Sequence, residues 1–378
     1  MISVLRTCFA ALLLAAAGQP AASSAPALPV PALVAPEPQW AELLRTRIEA
    51  ADARFPGEIG VYVHHLGRDE SFSFRAEESW YLASGIKVPV AIAVLRRVER
   101  GELRLGDRVR LRADDFVDGA GPTNAQRVGT PLRVDWLLEK MLVYSDNTAT
   151  DVLIRSVGVD AVNAVATELL ATDDLLITTL ADVRRRAYGM FHPGASALDA
   201  QDLLALRRAA AGPARVRQLA ELLEVTPEDF LLPDLDSAFD AYYETNVNAA
   251  PLRDFGHMLA TLSDGLALGP EGTAYLLDLM SRVKTGAKRI KAGLPPNAVF
   301  AHKTGTQHRR ACDLGIVTMP VDGAVERVVV AACARGAASN AASERALREV
   351  GVAVTASGVL TRRTPAMMRP TMRTWGPR

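Results

Sequence analysis

The stretch Tyr81-Leu82-Ala83-Ser84-Gly85-Ile86-Lys87-Val88-Pro89 marks a change in hydrophobic pattern. Before it, Ile59, Val61 and Val63 alternate with Gly60, Tyr62 and His64, the period of a strand with one buried face. Residues 71–75 read as its partner strand. Earlier still, Trp40, Leu43, Leu44, Ile48 and Ala51 recur at helical spacing. From Ser84 onward helical patterns dominate to about Met280. Strands return at 298–303, 313–318 and 327–332, and a last helix spans roughly 342–354. Strands at both ends with helices between them predict an α/β fold, in which one sheet is built from the two ends and a helical lobe is inserted.

The same stretch carries chemistry. A serine hydroxyl is a weak nucleophile until a neighbouring base takes its proton. Residues three apart on a helix share a face, so Ser84 and Lys87 converge. Burial beside other cations lowers a lysine's affinity for its proton and makes it a base. A serine at a helix start also sets backbone N–H groups and the positive dipole end where an oxyanion would form. Pro89 is expected to press on the Gly85 carbonyl and distort the helix. Read alone, Ser84 is a helix cap and Lys87 a solvated side chain.

Two further strings follow in order. Ser145-Asp146-Asn147 lies between helical stretches at 134–143 and 149–157, and all three residue types are also good helix caps. Lys303-Thr304-Gly305 follows the apolar run Val299-Phe300-Ala301 and belongs on a sheet edge. There Lys303 raises the local positive potential, Thr304 binds a substrate carboxylate, and Gly305 lets a substrate backbone lie close. The Thr306 N–H then supplies a second oxyanion donor beside that of Ser84. Both strings have decoys. S-x-x-K recurs at Ser281–Lys284 and K-T-G at Lys284-Thr285-Gly286, which ends a helical run and reads as a surface lysine and turn.

With these flanks and this order, the chain resembles class A β-lactamases within the penicillin-binding protein superfamily. Ser145 follows Ser84 by 61 residues, close to the family's habit, and Ala292-Gly293-Leu294-Pro295 precedes the K-T-G strand. The likeness covers roughly residues 40–358. It implies a three-layer α/β/α sandwich with an all-helical lobe and a cleft between them. It also implies an acyl-enzyme on Ser84, with Lys87 as base, Ser145 relaying a proton, and Asn147 holding Lys87 and the substrate amide. Lys303, Thr304, Gly305 and Thr306 complete the substrate-binding set. The implied function is a serine β-lactamase. The alternatives are a peptidoglycan D,D-peptidase, or a sensor that is acylated and stays blocked.

One departure matters. The family's E-x-x-L-N segment, whose glutamate activates the deacylating water, is absent. Ser145 and Lys303 are 158 residues apart, several tens more than is usual, with the excess around 173–243. Glu244, in Glu244-Thr245-Asn246-Val247-Asn248, is the nearest surrogate base. Arg309 and Arg310, after the K-T-G strand, are the candidates for binding the substrate carboxylate, and His302 and His308 nearby need no catalytic role.

Composition bounds the rest. The 378 residues carry 43 Lys+Arg and 43 Asp+Glu, so no net field favours nucleic acid or an anionic membrane. Arg6, an apolar run at 9–17 and small residues to Ala25 read as a signal peptide over 1–25, followed by an Ala/Pro-rich linker at 26–38. No later run is long enough to span a bilayer, so an exported, periplasmic or secreted monomer is expected. The domain is expected at 39–358, with sheet segments 39–80 and 295–358 and helical lobe 81–294; residues 359–378 read as a disordered basic tail. Cys312 and Cys333 flank a hairpin turning at Asp322-Gly323 and face each other, either as a disulfide or as two buried thiols. There is no G-x-S-x-G elbow, H-E-x-x-H or paired C-x-x-C, and no metal or organic cofactor is implied. The expected partner is a small β-lactam or a peptidoglycan stem peptide.

Overall fold

A computed structural model describes residues 38–170 and 175–361. The proposed signal peptide, nearly all of the linker, and the tail beyond 361 lie outside the described residues. Helix α1 (Gln39–Arg54) is followed by β1 (Glu58–His65), β2 (Glu70–Phe74) and β3 (Ser79–Tyr81). A 3-10 turn, Ala83–Ile86, leads into α2 (Lys87–Glu99). A small hairpin, β4 (Arg108–Arg110) with β5 (Pro131–Arg133), precedes α3 (Val134–Val143), α4 (Asn147–Val157) and α5 (Val159–Leu170). Four helices fill the long insert: α6 (Leu180–Gly189), α7 (Ala200–Arg208), α8 (Pro213–Leu223) and α9 (Leu235–Tyr243). Then come β6 (Ala249–Pro251), α10 (Leu252–Ser263), α11 (Pro270–Ser281), β7 (Val299–Gln307), β8 (Arg310–Val321), β9 (Ala324–Arg335) and α12 (Asn340–Ser357).

The main sheet runs β2-β1-β9-β8-β7, antiparallel throughout. It draws its strands from both ends of the described chain, as the pattern predicts. Side chains alternate across a strand, and β9 shows the consequence. Val328, Val330, Ala332 and Ala334 pack with α1 and α12 residues such as Leu44, Ile48, Leu347 and Val350. Val329, Ala331 and Cys333 enter the larger core shared with the helical segment, among Ile86, Val90 and Leu259. Each fully buried valine contributes about 1.5–2 kcal/mol. Helices thus cover both faces of the sheet.

That layering corrects one expectation. β1 is an interior strand buried on both faces, because Tyr62 on its second face packs edge-on to His257 of α10. A second correction concerns the C-terminus. Val359 and Leu360 are buried in the sheet–α12 core, so the ordered chain extends past 358. The hairpin prediction holds in register: Cys312 pairs with Cys333 across β8 and β9, and the two sulfurs are bonded.

Candidate active site

Ser84 sits half-buried in the 3-10 turn, and α2 begins only at Lys87. The serine therefore precedes the α-helix. Pro89 falls in the first helical turn, where a missing N–H costs little. The turn is pinned from behind: Tyr81 pairs with Ala249 in the β3–β6 ladder, and Leu82 N donates to Asn248 O at 2.9 Å. Ala83 stands at φ 48° and Ser145 at φ 60°, a left-handed backbone that costs a non-glycine residue free energy. Ala83 immediately precedes Ser84, and Ser145 itself carries the hydroxyl that both lysines approach.

Lys87 is fully buried. Its Nζ donates to Ser145 O at 2.7 Å and to Asn147 Oδ1 at 2.8 Å, and stands 3.4 Å from Ser145 Oγ. A neutral amine has two N–H bonds and one lone pair. With two acceptors taken, the lone pair is left for a hydroxyl proton. Burial lowers the Lys87 pKa from 10.5 to about 7; the Arg184 cation lowers it too, while Asp146 and Asp151 oppose the drop.

Lys303, also fully buried, comes from the opposite wall on β7 and donates to Ser145 Oγ at 2.9 Å and to Thr304 O at 2.9 Å. Burial, then Lys87 and Arg289, push its pKa well down. Ser145 Oγ is thus the meeting point of two amines. Gly305 explains how β7 gets close enough: a Cβ there would lie 2.2 Å from Leu82 O, so only glycine lets the strand abut the serine turn.

Asn147 is held in turn. Its Nδ2 donates to Asp118 O at 2.7 Å, and Asp146 caps α4 by accepting from Ala149 N while also accepting from Thr123 N. The 117–124 loop therefore clamps the Ser-Asp-Asn turn. Gly119, at φ 139°, lies against the Asn147 amide, where a Cβ would stand 2.3 Å from Nδ2.

The structure joins Lys87, Ser145, Asn147 and Lys303 by hydrogen bonds, and sets the strand of Thr304, Gly305 and Thr306 against the turn that carries Ser84. It leaves other candidates outside. Glu244 is an exposed residue ending α9, and among the described residues none is hydrogen-bonded or ion-paired to its carboxylate. Arg309 and Arg310 turn to α9, lying 3.7 Å from Asp236 and 3.8 Å from Asp240. His308 stacks on Phe239 and bonds Asp236, and Tyr243 Oη donates to the His308 carbonyl, so the insert is strapped onto the β7–β8 turn. His302 is buried against Asp313 at 2.6 Å.

The arginine at the strand is Arg289, which the sequence reading passed over. Only 3% exposed, it donates to Gly305 O, Cys312 O and Thr306 Oγ1 at 2.8, 2.9 and 2.6 Å. The dismissed K-T-G decoy also contributes. Lys284 is exposed as expected, but Thr285 Oγ1 lies 2.5 Å from Thr304 Oγ1. The signal was there in Thr285-Gly286-Ala287-Lys288-Arg289, but the absence of a strand around it hid its approach to β7. Asn248, read in the sequence only as the end of the Glu244 segment, is a second residue whose part was missed. Buried, it accepts from Thr178 N and donates to Thr178 Oγ1, tying the 175–178 segment to the serine turn.

The carboxylates nearest Lys87 are engaged elsewhere. Asp151 accepts from Leu180 N at 2.7 Å and Ala181 N at 2.9 Å, fixing the start of α6. Burial raises its pKa to about 7 against the pull of those bonds and of Lys87. Among the described residues no cluster of His, Cys, Asp and Glu is fit to hold a metal ion.

Comparison with known proteins agrees with this architecture. The β-lactamase of Mycobacterium tuberculosis strain H37Rv is 27% identical over 280 residues, 73% of this chain and 73% of its own length. The structure of PBP-A superposes with TM-score 0.63 at 22% identity, covering 85% of this chain and 97% of that one. A point mutant of PBP-A, solved as an acyl-enzyme complex with penicillin-G, gives 0.61 at 21% over 84% and 96%. The β-lactamase of Sphaerobacter thermophilus DSM 20745 gives 0.60 at 25% over 84% and 97%. The sequence model of the Beta-lactamase enzyme family matches residues 43–357, nearly the whole described chain. With the sheet, the helical segment and the serine-lysine site in the matched span, this chain belongs to the Beta-lactamase enzyme family.

Proposed function

We propose that the protein is an exported serine hydrolase of the class A β-lactamase type, acylated on Ser84 by β-lactams and deacylated more slowly than it is acylated. The observation that carries this reading is the double approach of Lys87 and Lys303 to Ser145. In the first step Ser84 Oγ attacks the lactam carbonyl carbon while its proton passes to Lys87 Nζ. The Ser84 and Thr306 N–H groups receive the oxyanion. Lys87 then returns the proton through the Ser145 hydroxyl to the lactam nitrogen, the C–N bond breaks, and an acyl ester remains. Lys303, Thr304 and Thr306, braced by Arg289, receive the substrate carboxylate. Water finally cleaves the ester, giving the opened acid and free Ser84.

The engagement of Asp118, Asp146 and Asp151 by neighbouring donors supports slow release. Glu244 in its exposed position is a poor base for that water. The same engagement favours a second reading, a peptidoglycan D,D-peptidase that uses this acylation apparatus on an acyl-D-Ala-D-Ala end. The Cys312–Cys333 bond is in keeping with an oxidising compartment, and no helix among the described residues is long and apolar enough to cross a membrane.

Time-resolved mass spectrometry with a penicillin tests both. The expected result is a one-equivalent adduct on the peptide carrying Ser84, absent in Ser84→Ala, with slow turnover of a chromogenic cephalosporin continuing beyond one equivalent. Release of D-Ala from an acyl-D-Ala-D-Ala peptide without cephalosporin turnover selects the peptidase. No adduct from any β-lactam refutes the serine assignment.

A further inference from the structure

Two helices of the insert meet at one carboxylate beside the candidate site. Asp118 Oδ1 accepts from Arg184 Nε of α6 at 2.6 Å, and Oδ2 lies 3.8 Å from Arg207 Nε of α7. The Asp118 side chain is only 9% exposed, and that of Arg184 19%. The backbone carbonyl of the same Asp118 holds the Asn147 amide, whose Oδ1 holds Lys87. One residue thus joins the insert to the amine by two routes, a chain of short hydrogen bonds and the field of Arg184, which acts on Lys87.

We propose that the Arg184–Asp118 pair is a positioning device for acylation, in which Asp118 orients the Asn147 amide and Arg184 keeps a fixed positive charge facing Lys87. The inference rests on the reading of Lys87 as the base that takes the Ser84 proton. A base must be unprotonated to act, and a fixed cation whose field reaches the amine favours its neutral form. Burial works against the charge of Arg184, but Asp118 outweighs it and raises the guanidinium's pKa, so this cation does not titrate with the amine. The other charged groups facing Lys87 are Asp146 and Asp151 of the Ser-Asp-Asn turn and α4, and Lys303 of β7. Both carboxylates are bound to backbone N–H groups, which leaves Arg184 as the charge contributed by the insert.

The pH dependence of acylation and the titration of the Lys87 Cε resonance in 13C-lysine-labelled protein, assigned with Lys87→Met, read the device independently. Arg184→Gln removes the cation, so the Lys87 midpoint and the acid limb of acylation move to higher pH by at least about half a unit. Asp118→Asn leaves the cation uncompensated, so both move to lower pH. Arg184→Lys keeps the charge and stays near wild type. A merely structural role would slow acylation in each variant without moving the limbs in opposite directions. Midpoints that stay fixed, or move the same way in Arg184→Gln and Asp118→Asn, overturn the proposal. Midpoints that move as expected in a protein that forms no penicillin adduct support the device and refute the acylation reading alone.

Discussion

Lys303 Nζ and Ser145 Oγ are 158 residues apart in the chain and 2.9 Å apart in space. That hydrogen bond joins β7 to the turn before α4, and Lys87 approaches the same hydroxyl from α2. Because Ser145 Oγ accepts from Lys303, its own proton is free to point to Lys87 or to a leaving nitrogen. Ser145→Ala removes the shared acceptor and the relay together. Acylation by a penicillin, followed by stopped-flow fluorescence, is expected to slow by about 100- to 1,000-fold. A rate within about twofold of wild type would take Ser145 out of the mechanism.

A buried lysine that is useful as a base is a burden on the fold. With its pKa lowered from 10.5 to about 7, Lys87 is neutral in the folded protein and protonated in the unfolded chain between those values. Unfolding there takes up a proton, so this group makes stability rise with pH from about 7 to about 10.5, with the full cost present below 7. That displacement corresponds to roughly 5 kcal/mol as an order of magnitude. Lys87→Met should abolish acylation, unfold at higher denaturant than wild type at pH 6, and lose this part of the alkaline rise. Denaturant midpoints that run parallel across pH 6–10 would contradict it.

Much of this arrangement was legible in the sequence, and the limits have physical causes. The strand period at 59–63 and the turn at Asp322-Gly323 gave the sheet and the cysteine register, because alternation and turn chemistry are local. Ser84, Lys87, Ser145 and Lys303 stood out as candidates because the proposed acyl transfer would tie their residue types to fixed local spacings, and the structure joins Lys87 and Lys303 at Ser145. Arg289 was not, because what makes it part of the site is a contact with Gly305 and Thr306 across 16 and 17 residues. Arg184 escaped for a similar reason. A helix of an insert offers no repeating pattern that says which of Arg184, Arg185 and Arg186 turns to Asp118.

Arg289 should prove more structural than its neighbours. Its guanidinium satisfies two backbone carbonyls and one hydroxyl in a buried space, and a planar fork matches that set where an ammonium does not. Arg289→Ala is expected to cost about 2–4 kcal/mol of stability and to raise KM for carboxylate-bearing lactams about tenfold. Arg289→Lys should recover less than half of either loss. Equal rescue by lysine in urea melts and steady-state kinetics would show that charge alone suffices.

The Cys312–Cys333 bond closes a loop with a sequence separation of 21. Constraining a loop of that size in the unfolded chain is worth about 3 kcal/mol. Both cysteines are buried in the sheet core, so Cys312→Ala with Cys333→Ala should lower the melting temperature by several degrees. The rate of Ser84 acylation should change by less than about threefold, since β7 keeps its ladder to β8. A large loss of acylation with little loss of stability would place the bond within the working site.

Gly305 offers the sharpest test of the closeness of strand and serine turn. A methyl at this position would stand 2.2 Å from Leu82 O and 3.1 Å from Ala83 Cβ, and a backbone carbonyl has no flexible end to move aside. β7 would have to retreat from the turn, carrying Lys303 away from Ser145 and the Thr306 N–H away from its proposed place beside Ser84. Gly305→Ala should therefore reduce acylation about 100-fold, because a misplacement of reacting groups by about 1 Å costs about that much. Gly323→Ala in the β8–β9 turn is the control. It has a φ of 77° and nothing within 4 Å of the added carbon, so it should cost about 1 kcal/mol of stability and leave acylation intact. If the two variants acylate equally fast, strand and turn are not in the contact that the geometry gives them.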